Sequence, residues 1–368
     1  MPVTIVVGGQ YGSEGKGKVV ALLAKASRAP WLVRCGGPNS GHTVTIDGKP
    51  VIMRQVPSCT EPEKATFCVA AGCVVDEEIL LRELDLLKIP KDQIIVDPRC
   101  VLVTDEDRKA EADSLVRIGS TCSGTGAALL RRMSRAKGVR LLKDSAAIKM
   151  RCRVETVATL LHSRIEDGGD VIVEGTQGFA LPLLHGPDYP FVTSRDTTAA
   201  GFAMEIGLSP RHIDNIVMVI RTFPIRVGGT SGPFANEFSW EHIQAISGAP
   251  HVLPEYTSVT KRLRRVARFD LDLVKLAFKY NCPTSLAVMG LDRLDHANTG
   301  ITNFDQLTEK ARIFLKTVEL ATGVPVEIIG TGFGTFEAIH KKFKVFTAGQ
   351  SSNSIFSKKA THMSQTGL

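Results

Sequence analysis

The chain has 368 residues, 43% of them hydrophobic and 23% charged, which is enough apolar material for a sizeable core. No apolar run approaches the ~18 residues needed to cross a bilayer and no secretory leader precedes the first apolar run, so no spanning helix and a cytoplasmic location are expected. A formal charge of +7 suits a binder of anionic nucleotides and also non-specific polyanion contact, while eight cysteines without a CxxC pair or zinc spacing read as reduced, mostly buried thiols.

Val3 to Val7 is a short β-branched run and reads as a first strand. The next segment, GQYGSEGKGK from Gly9 to Lys18, holds four glycines and two lysines, the composition of a phosphate-binding loop. Glycine lets backbone N–H groups turn toward phosphate oxygens, and a helix starting near Gly15 adds the positive end of its dipole. The spacing is not GxxxxGK[ST], because five residues separate Gly9 from Gly15 and Gly17 stands where a magnesium-binding hydroxyl would be. Any metal must therefore be held by something else. Val44 to Ile46 and Val51 to Met53, separated by Asp47-Gly48-Lys49-Pro50, predict a hairpin. Farther along, Ile216 to Ile220, Ser285 to Met289 and Val326 to Ile329 are apolar, β-rich runs among helical patterns. That alternation predicts an α/β fold with a mainly parallel central sheet covered by helices. The last residues, about 350–368, are polar and poorly patterned and predict a frayed tail.

The loop Gly9 to Lys18 resembles GQWGDEGKGK, a signature of adenylosuccinate synthetases, and GGPNSGHT from Gly36 to Thr43 resembles that family's GGxNAGHT. Similar segments follow in family order: VEGTQG (Val173 to Gly178), HGPDYPFVTSRDTTAAG (His185 to Gly201), IRVGG (Ile225 to Gly229), Arg262 to Arg265, LDRLD (Leu291 to Asp295) and GTG (Gly330 to Gly332). The resemblance implies a Mg2+-dependent ligase in which O6 of a purine monophosphate takes the γ-phosphate of a nucleoside triphosphate. The amine of L-aspartate then displaces that phosphate at C6. Motifs from both ends of the chain must meet at one site, so residues 1–368 are expected to form a single domain with small excursions.

Three departures from the family pattern refine this expectation. The loop aspartate that takes the N1 proton of inosinate and binds magnesium is Ser13 here. A hydroxyl is a poor base, but it is small and can donate or accept, so it suits a purine with a 2-amino group beside N1. Ser13 acts either in the chemistry or only by relieving crowding. The family's guanine-reading TKLD segment is Met289-Gly290-Leu291-Asp292, so the lysine that faces O6 is lost, and Gly330 stands where serine is frequent. An unpaired buried polar group costs roughly 1–3 kcal/mol, so selectivity for GTP should fall and ATP, or dATP, becomes acceptable. The chain is also short, like the archaeal and viral branches. Together these features resemble the bacteriophage branch that joins L-aspartate to dGMP with ATP, giving N6-succino-2-amino-2'-deoxyadenylate, a 2-aminoadenine precursor.

Carried over residue by residue, the resemblance implies catalytic roles for Ser13, Lys16 and His42, the histidine donating near neutrality to the oxygen that gains charge. ATP contacts fall on Gly12, Glu14, Gly15, Lys16, Gly17, Lys18, Gly41, His42, Thr43, Asp292 and Gly332, with Ser13 and the Gly41 carbonyl as magnesium ligands. dGMP contacts fall on Ser13, Asn39, Ser120, Thr121, Arg135, Gln177, Thr193 and Arg226. Aspartate contacts fall on Thr257, Ser258, Val259, Thr260, Arg262 and Arg264, where arginine forks suit carboxylates. Arg135 matches an arginine that reaches the neighbouring subunit's site and so implies a homodimer; alternatively Arg131, Arg132, Arg135 and Arg140 form a solvated basic helix face. KRLRR from Lys261 to Arg265 could suggest nucleic acid, but no aromatic interleaving or nucleic-acid motif accompanies it, and no nucleic-acid or membrane partner is expected. Two rival readings are an ordinary synthetase using inosinate and GTP, and a non-catalytic nucleotide binder. Retention of Lys16, His42, Gln177 and Arg262 favours activity.

Overall fold

Short β-branched runs with both faces buried can pair only inside a helix-covered sheet, and ten of them do so here. From edge to edge the strands are Ala338–His340, Val326–Gly330, Ser285–Met289, Asn215–Arg221, Val3–Gly8, Val171–Glu174, Trp31–Arg34, Thr66–Val69, Ile94–Val96 and Arg153–Val154. All neighbours are parallel except the pair formed by Val326–Gly330 and Ala338–His340. This is the helix-covered, mainly parallel α/β fold expected from the runs at Ile216, Ser285 and Val326. The structure is a computed structural model and describes residues 3–342; the tail expected over 350–368 lies outside the described residues.

Val3–Gly8 lies between Asn215–Arg221 and Val171–Glu174, so the chain leaves this strand at the middle of the sheet. In open parallel sheets, ligands bind beyond the carboxyl ends of the strands, where loops diverge. Five strands end there with Gly8, Arg34, Glu174, Arg221 and Met289, and the loops that follow carry most of the site. The register makes Glu174 the partner of Arg34 and of Val6, and Arg221 the partner of Met289. One hydrophobic core runs from Val3 to Ile339 and includes Phe67, Phe179 and Phe202.

The helix after the phosphate loop spans Lys16–Ala26 with Gly15 as its left-handed N-cap. The hairpin forms from His42–Ile46 and Lys49–Met53, so its turn is Asp47-Gly48 alone. Both turn residues have positive φ, 49° and 74°, which matches the twist of a two-residue hairpin turn. Lys49 and Pro50 therefore belong to the strand and not to the turn. Six of the eight cysteines are buried, Cys122 is half-buried and Cys282 exposed, and all eight are free thiols. Among the described residues, no helix is long and apolar enough to cross a membrane.

Candidate active site

The phosphate loop divides two cavities. On one side, a cleft of about 590 Å3 is lined by Ser13, Glu14, Gly15, Lys16, Gly17, Lys18, Gly41, His42, Thr43, Asp292 and Gly332, together with Thr257, Ser258 and Arg264. On the other side, Asn39, Ser120, Thr121, Gln177, Thr193 and Arg226 line a smaller cavity with Tyr11. The residues assigned by resemblance to triphosphate and to monophosphate thus fall into two adjoining pockets. Ser13 lines the first and not the second. Gly12, Val259, Thr260 and Arg262 line neither, and Arg135 is exposed at the end of the helix Thr125–Met133.

Within the loop, Glu14 is fully buried and accepts from the backbone N–H groups of Gln10 at 3.1 Å and Gly12 at 2.8 Å. It also pairs with Lys16 Nζ at 2.6 Å. The same ammonium donates to the carbonyl of Gln177, whose φ of 64° turns that carbonyl toward the loop. Lys16 therefore sits at the partition between the pockets, positioned before any phosphate arrives. Ser13 is exposed, with φ at 59°, and its carbonyl accepts from Arg221 Nη1 at 3.3 Å. Arg221 also pairs with Glu255, and this guanidinium overrides burial to hold the carboxyl at about 2.

Lys18 lines the cleft with its ammonium already engaged. Its ammonium is buried and donates to the carbonyls of Gly332 at 3.0 Å and Glu337 at 2.8 Å, on the far rim of the cleft. Burial lowers its pKa to about 8, with Asp292 opposing the shift. Lys18 pins the loop that carries Gly332. Of the arginines that could form a solvated basic face, Arg131 folds back onto Asp107 at 2.7 Å and Arg132 onto the Ala71 carbonyl at 3.2 Å, whereas Arg135 and Arg140 are exposed.

His42 opens the hairpin strand and is buried against a charged cluster. Its Nδ1 lies 2.6 Å from Glu174 Oε1 and 2.9 Å from Arg34 Nη1, while its Nε2 lies 3.4 Å from Ser40 Oγ. Glu174 also accepts from Ser58 N at 2.8 Å and Ser58 Oγ at 2.6 Å, and pairs with Arg34 at 3.1 Å. Burial, then Arg34, push the histidine's pKa down to about 4 against the pull of Glu174. Arg34 and His42 hold Glu174 at about 2 in spite of its burial. The histidine therefore does not titrate near neutrality, and the negative charge of a triphosphate in the cleft would raise its pKa. Gly17 lies against this cluster, since a Cβ there would come within 2.7 Å of Ser58 Oγ and 2.8 Å of His42 Cβ.

Gly290 caps the short helix Leu291–Leu294 with φ at 82°. A Cβ would lie 3.0 Å from Thr222 Oγ1, whose hydroxyl donates to the Gly290 carbonyl at 2.6 Å. A side chain here would be both strained and crowded. In the second pocket, Arg226 is buried, pairs with Asp188 at 3.0 Å and lies over the Tyr11 ring at 4.9 Å.

Ser13 and Gly41 both line the cleft and offer neutral oxygens, a hydroxyl and a carbonyl, and the carbonyl accepts from Ser258 Oγ at 3.0 Å. A carbonyl has two lone pairs, so Gly41 keeps one. Such hard donors fit a magnesium ion that takes its other ligands from phosphate and water. Arg34, Ser58, Glu174, Arg221 and Glu255 carried no role in the sequence reading. Glu174 stands inside the quoted segment VEGTQG, but only the fold brings it to His42.

A parallel sheet with a glycine-rich phosphate loop after its central strand and a cavity on each side of that loop is the arrangement of an enzyme that acts on nucleotides. The model of the adenylosuccinate synthetase family matches residues 5–146 and 142–299. The adenylosuccinate synthetase of Methanocaldococcus jannaschii is 39% identical over 340 residues, covering 89% of this chain and 94% of its own. That of Pyrococcus horikoshii is 37% identical over 342 residues, covering 90% and 96%. The chain belongs to the adenylosuccinate synthetase family, carbon–nitrogen ligases of purine biosynthesis that use Mg2+ and a nucleoside triphosphate. Among solved structures, the fully ligated adenylosuccinate synthetase of Plasmodium falciparum superposes with a TM-score of 0.82 at 20% identity, covering 93% of this chain and 100% of that one. A cyanophage S-2L succinoaminodeoxyadenylate synthetase, bound to dGMP and to dATP as an energy donor, gives 0.77 at 26% identity, covering 92% and 95%.

Proposed function

We propose that this enzyme joins L-aspartate to C6 of dGMP with ATP or dATP, giving N6-succino-2-amino-2'-deoxyadenylate, ADP and phosphate. Ser13 carries the reading: the exposed tip of the phosphate loop presents a hydroxyl where the family pattern has a carboxylate. A carboxylate beside N1 would crowd and repel nothing on inosinate, but it leaves little room for a 2-amino group. A hydroxyl can meet that group as acceptor or donor. Gly290 supports the choice of triphosphate, because a glycine here supplies no side chain to meet guanine O6. The cyanophage neighbour, bound to dGMP and dATP, supports the same direction.

In this reading Asn39, Ser120, Thr121, Gln177, Thr193 and Arg226 hold the monophosphate. Lys16 and the loop N–H groups take the transferred phosphate, and Thr257, Ser258 and Arg264 receive aspartate. Ser13 and the Gly41 carbonyl would hold Mg2+, which neutralises phosphate charge when bound. O6 attacks the γ-phosphorus as ADP leaves; the aspartate amine then attacks C6 and phosphate departs, with one proton lost from N1 and one from the amine. His42 meets the charge developing at O6, and positioning supplies the rest. The active form is a homodimer in the cytoplasm.

A second reading has specific support: archaeal adenylosuccinate synthetases share 39% identity with this chain, so inosinate with GTP is the alternative substrate pair. Phosphate release with Mg2+ and aspartate separates the two. Turnover with dGMP and ATP, and little with inosinate and GTP, supports the proposal; the reverse preference rejects it. Nucleotide binding without aspartate-dependent phosphate release would instead mark a binding protein.

A further inference from the structure

Arg34, Ser58 and Glu174 line neither cavity, yet they form the most enclosed charged cluster near the site, at 1%, 0% and 0% exposure. We propose that Glu174 is the positioning residue of His42: its carboxylate takes the Nδ1 proton and fixes the ring, while Arg34 and Ser58 fix the carboxylate. The inference rests on the reading of His42 as the group that meets the reacting purine.

The hydrogen bonds assign the tautomer. Glu174 Oε1 receives His42 Nδ1 and Ser58 Oγ, each at 2.6 Å, and Oε2 receives Ser58 N at 2.8 Å and Arg34 at 3.1 Å. Four contacts fill the acceptor capacity of a carboxylate and hold it ionised. If Nδ1 carried a lone pair, that lone pair would face the carboxylate at 2.6 Å; the proton must therefore sit on Nδ1. Arg34 Nη1, although 2.9 Å from Nδ1, cannot donate to a protonated nitrogen and belongs to Glu174. Arg34 is itself anchored, with Nη2 donating to the Ser40 carbonyl at 2.9 Å and the Arg54 carbonyl at 3.3 Å.

The arrangement decides where a proton can go. With Nδ1 protonated, the lone pair of the ring lies on Nε2, the nitrogen 3.4 Å from Ser40 Oγ. The charged groups around the ring are Arg34 and Glu174 on neighbouring strands and Lys16 at the head of the phosphate-loop helix. Glu174 thus fixes both the orientation of the ring and the nitrogen that keeps its lone pair.

Long-range proton–nitrogen correlation on the 15N-labelled full chain reads the tautomer directly, His42→Asn identifying the resonances. The wild type should show Nδ1–H, and Glu174→Gln should lose that tautomer and drop kcat by about 100-fold, leaving KM for both nucleotides nearly unchanged. Glu174→Asp should recover part of kcat. Because Glu174→Gln strands a buried guanidinium and can fail to fold, Ser58→Ala serves as a milder probe, with a partial tautomer shift and about tenfold lower kcat. An Nε2–H tautomer in the wild type, or variants that fold with unchanged tautomer and kcat, would overturn the proposal. Turnover is assayed with whichever substrate pair the wild type uses, so the choice between dGMP and inosinate does not enter. Full activity of His42→Asn would remove the pair from catalysis, whereas an inactive wild type showing the expected tautomers would reject the ligase reading and keep the pair.

Discussion

At the scale of single residues, Ser13 is the most informative position because its backbone already fits the alternative. Its φ of 59° is left-handed, a region aspartate tolerates better than most residues, so Ser13→Asp should fold. The added carboxylate should lower kcat/KM for dGMP by about tenfold or more, the scale of one mispaired polar group, and should raise it for inosinate. Steady-state phosphate release with both acceptors measures the ratio, and an unmoved ratio removes Ser13 as the selector. His42 adds a pH dependence. Its pKa is near 4 in the folded chain and about 6.5 unfolded, so between those values the unfolded state binds the extra proton. Stability should therefore fall as pH drops from 6.5 toward 4, by about 2 kcal/mol at pH 5. Glu174, held near 2, adds a second loss as pH falls from its unfolded value of about 4.5. Thermal melts from pH 7 to 5 should fall less steeply in His42→Asn, and equal slopes would assign the acid sensitivity elsewhere. Ser13 and Gly290 were legible in the sequence because each breaks a pattern. Arg34, Ser58 and Glu174 were not, since 116 residues separate Ser58 from Glu174 and only the fold brings them together.

At the scale of elements, the phosphate-loop helix shows what a motif conceals. The run GSEGKGK announces phosphate binding, and in it Gly17 stands where a magnesium-binding hydroxyl would be. In the fold it is a contact surface: the first turn of Lys16–Ala26 lies so close to His42 and Ser58 that even a methyl group collides. Neither neighbour can swing away, since the nearest atoms are a hydroxyl bonded to Glu174 and the histidine's own Cβ. Gly17→Ala should therefore cost about 1–3 kcal/mol by overpacking, although alanine normally favours a helix. Denaturant unfolding measures that loss, and a stabilised variant would mean that the helix can shift away from the hairpin. The same lesson applies to Lys18, whose spacing suggested phosphate but whose ammonium holds the carbonyls of Gly332 and Glu337. Sequence fixes residue type and order along a helix; which side of a buried helix faces phosphate depends on the strands beneath it.

At the scale of the whole molecule, the parallel sheet was readable because its strands are continuous apolar runs, and the site was readable as scattered motifs in a known order. Their division between two cavities was not, because it depends on the phosphate loop standing between them with Tyr11 on one side and Ser13 on the other. The remaining question is whether one chain completes the monophosphate pocket. Arg135 lies outside that pocket, exposed beyond the helix Thr125–Met133, on which Leu130 and Met133 are 70% and 73% exposed. Residues three apart share a helix face, and such a face beside an exposed arginine is suited to covering by a second copy. If Arg135 enters the partner's pocket across a two-fold axis, its loss can be complemented. Arg135→Ala and Lys16→Ala homodimers should each be nearly inactive. After mixing and exchange, half of the dimers would be mixed, and each of these would hold one site with both lesions and one with neither. Activity should then rise to about one quarter of wild type, the share of intact sites in a two-fold dimer. An arginine that served its own chain's pocket would give no such recovery, because every site in the mixture would keep one lesion.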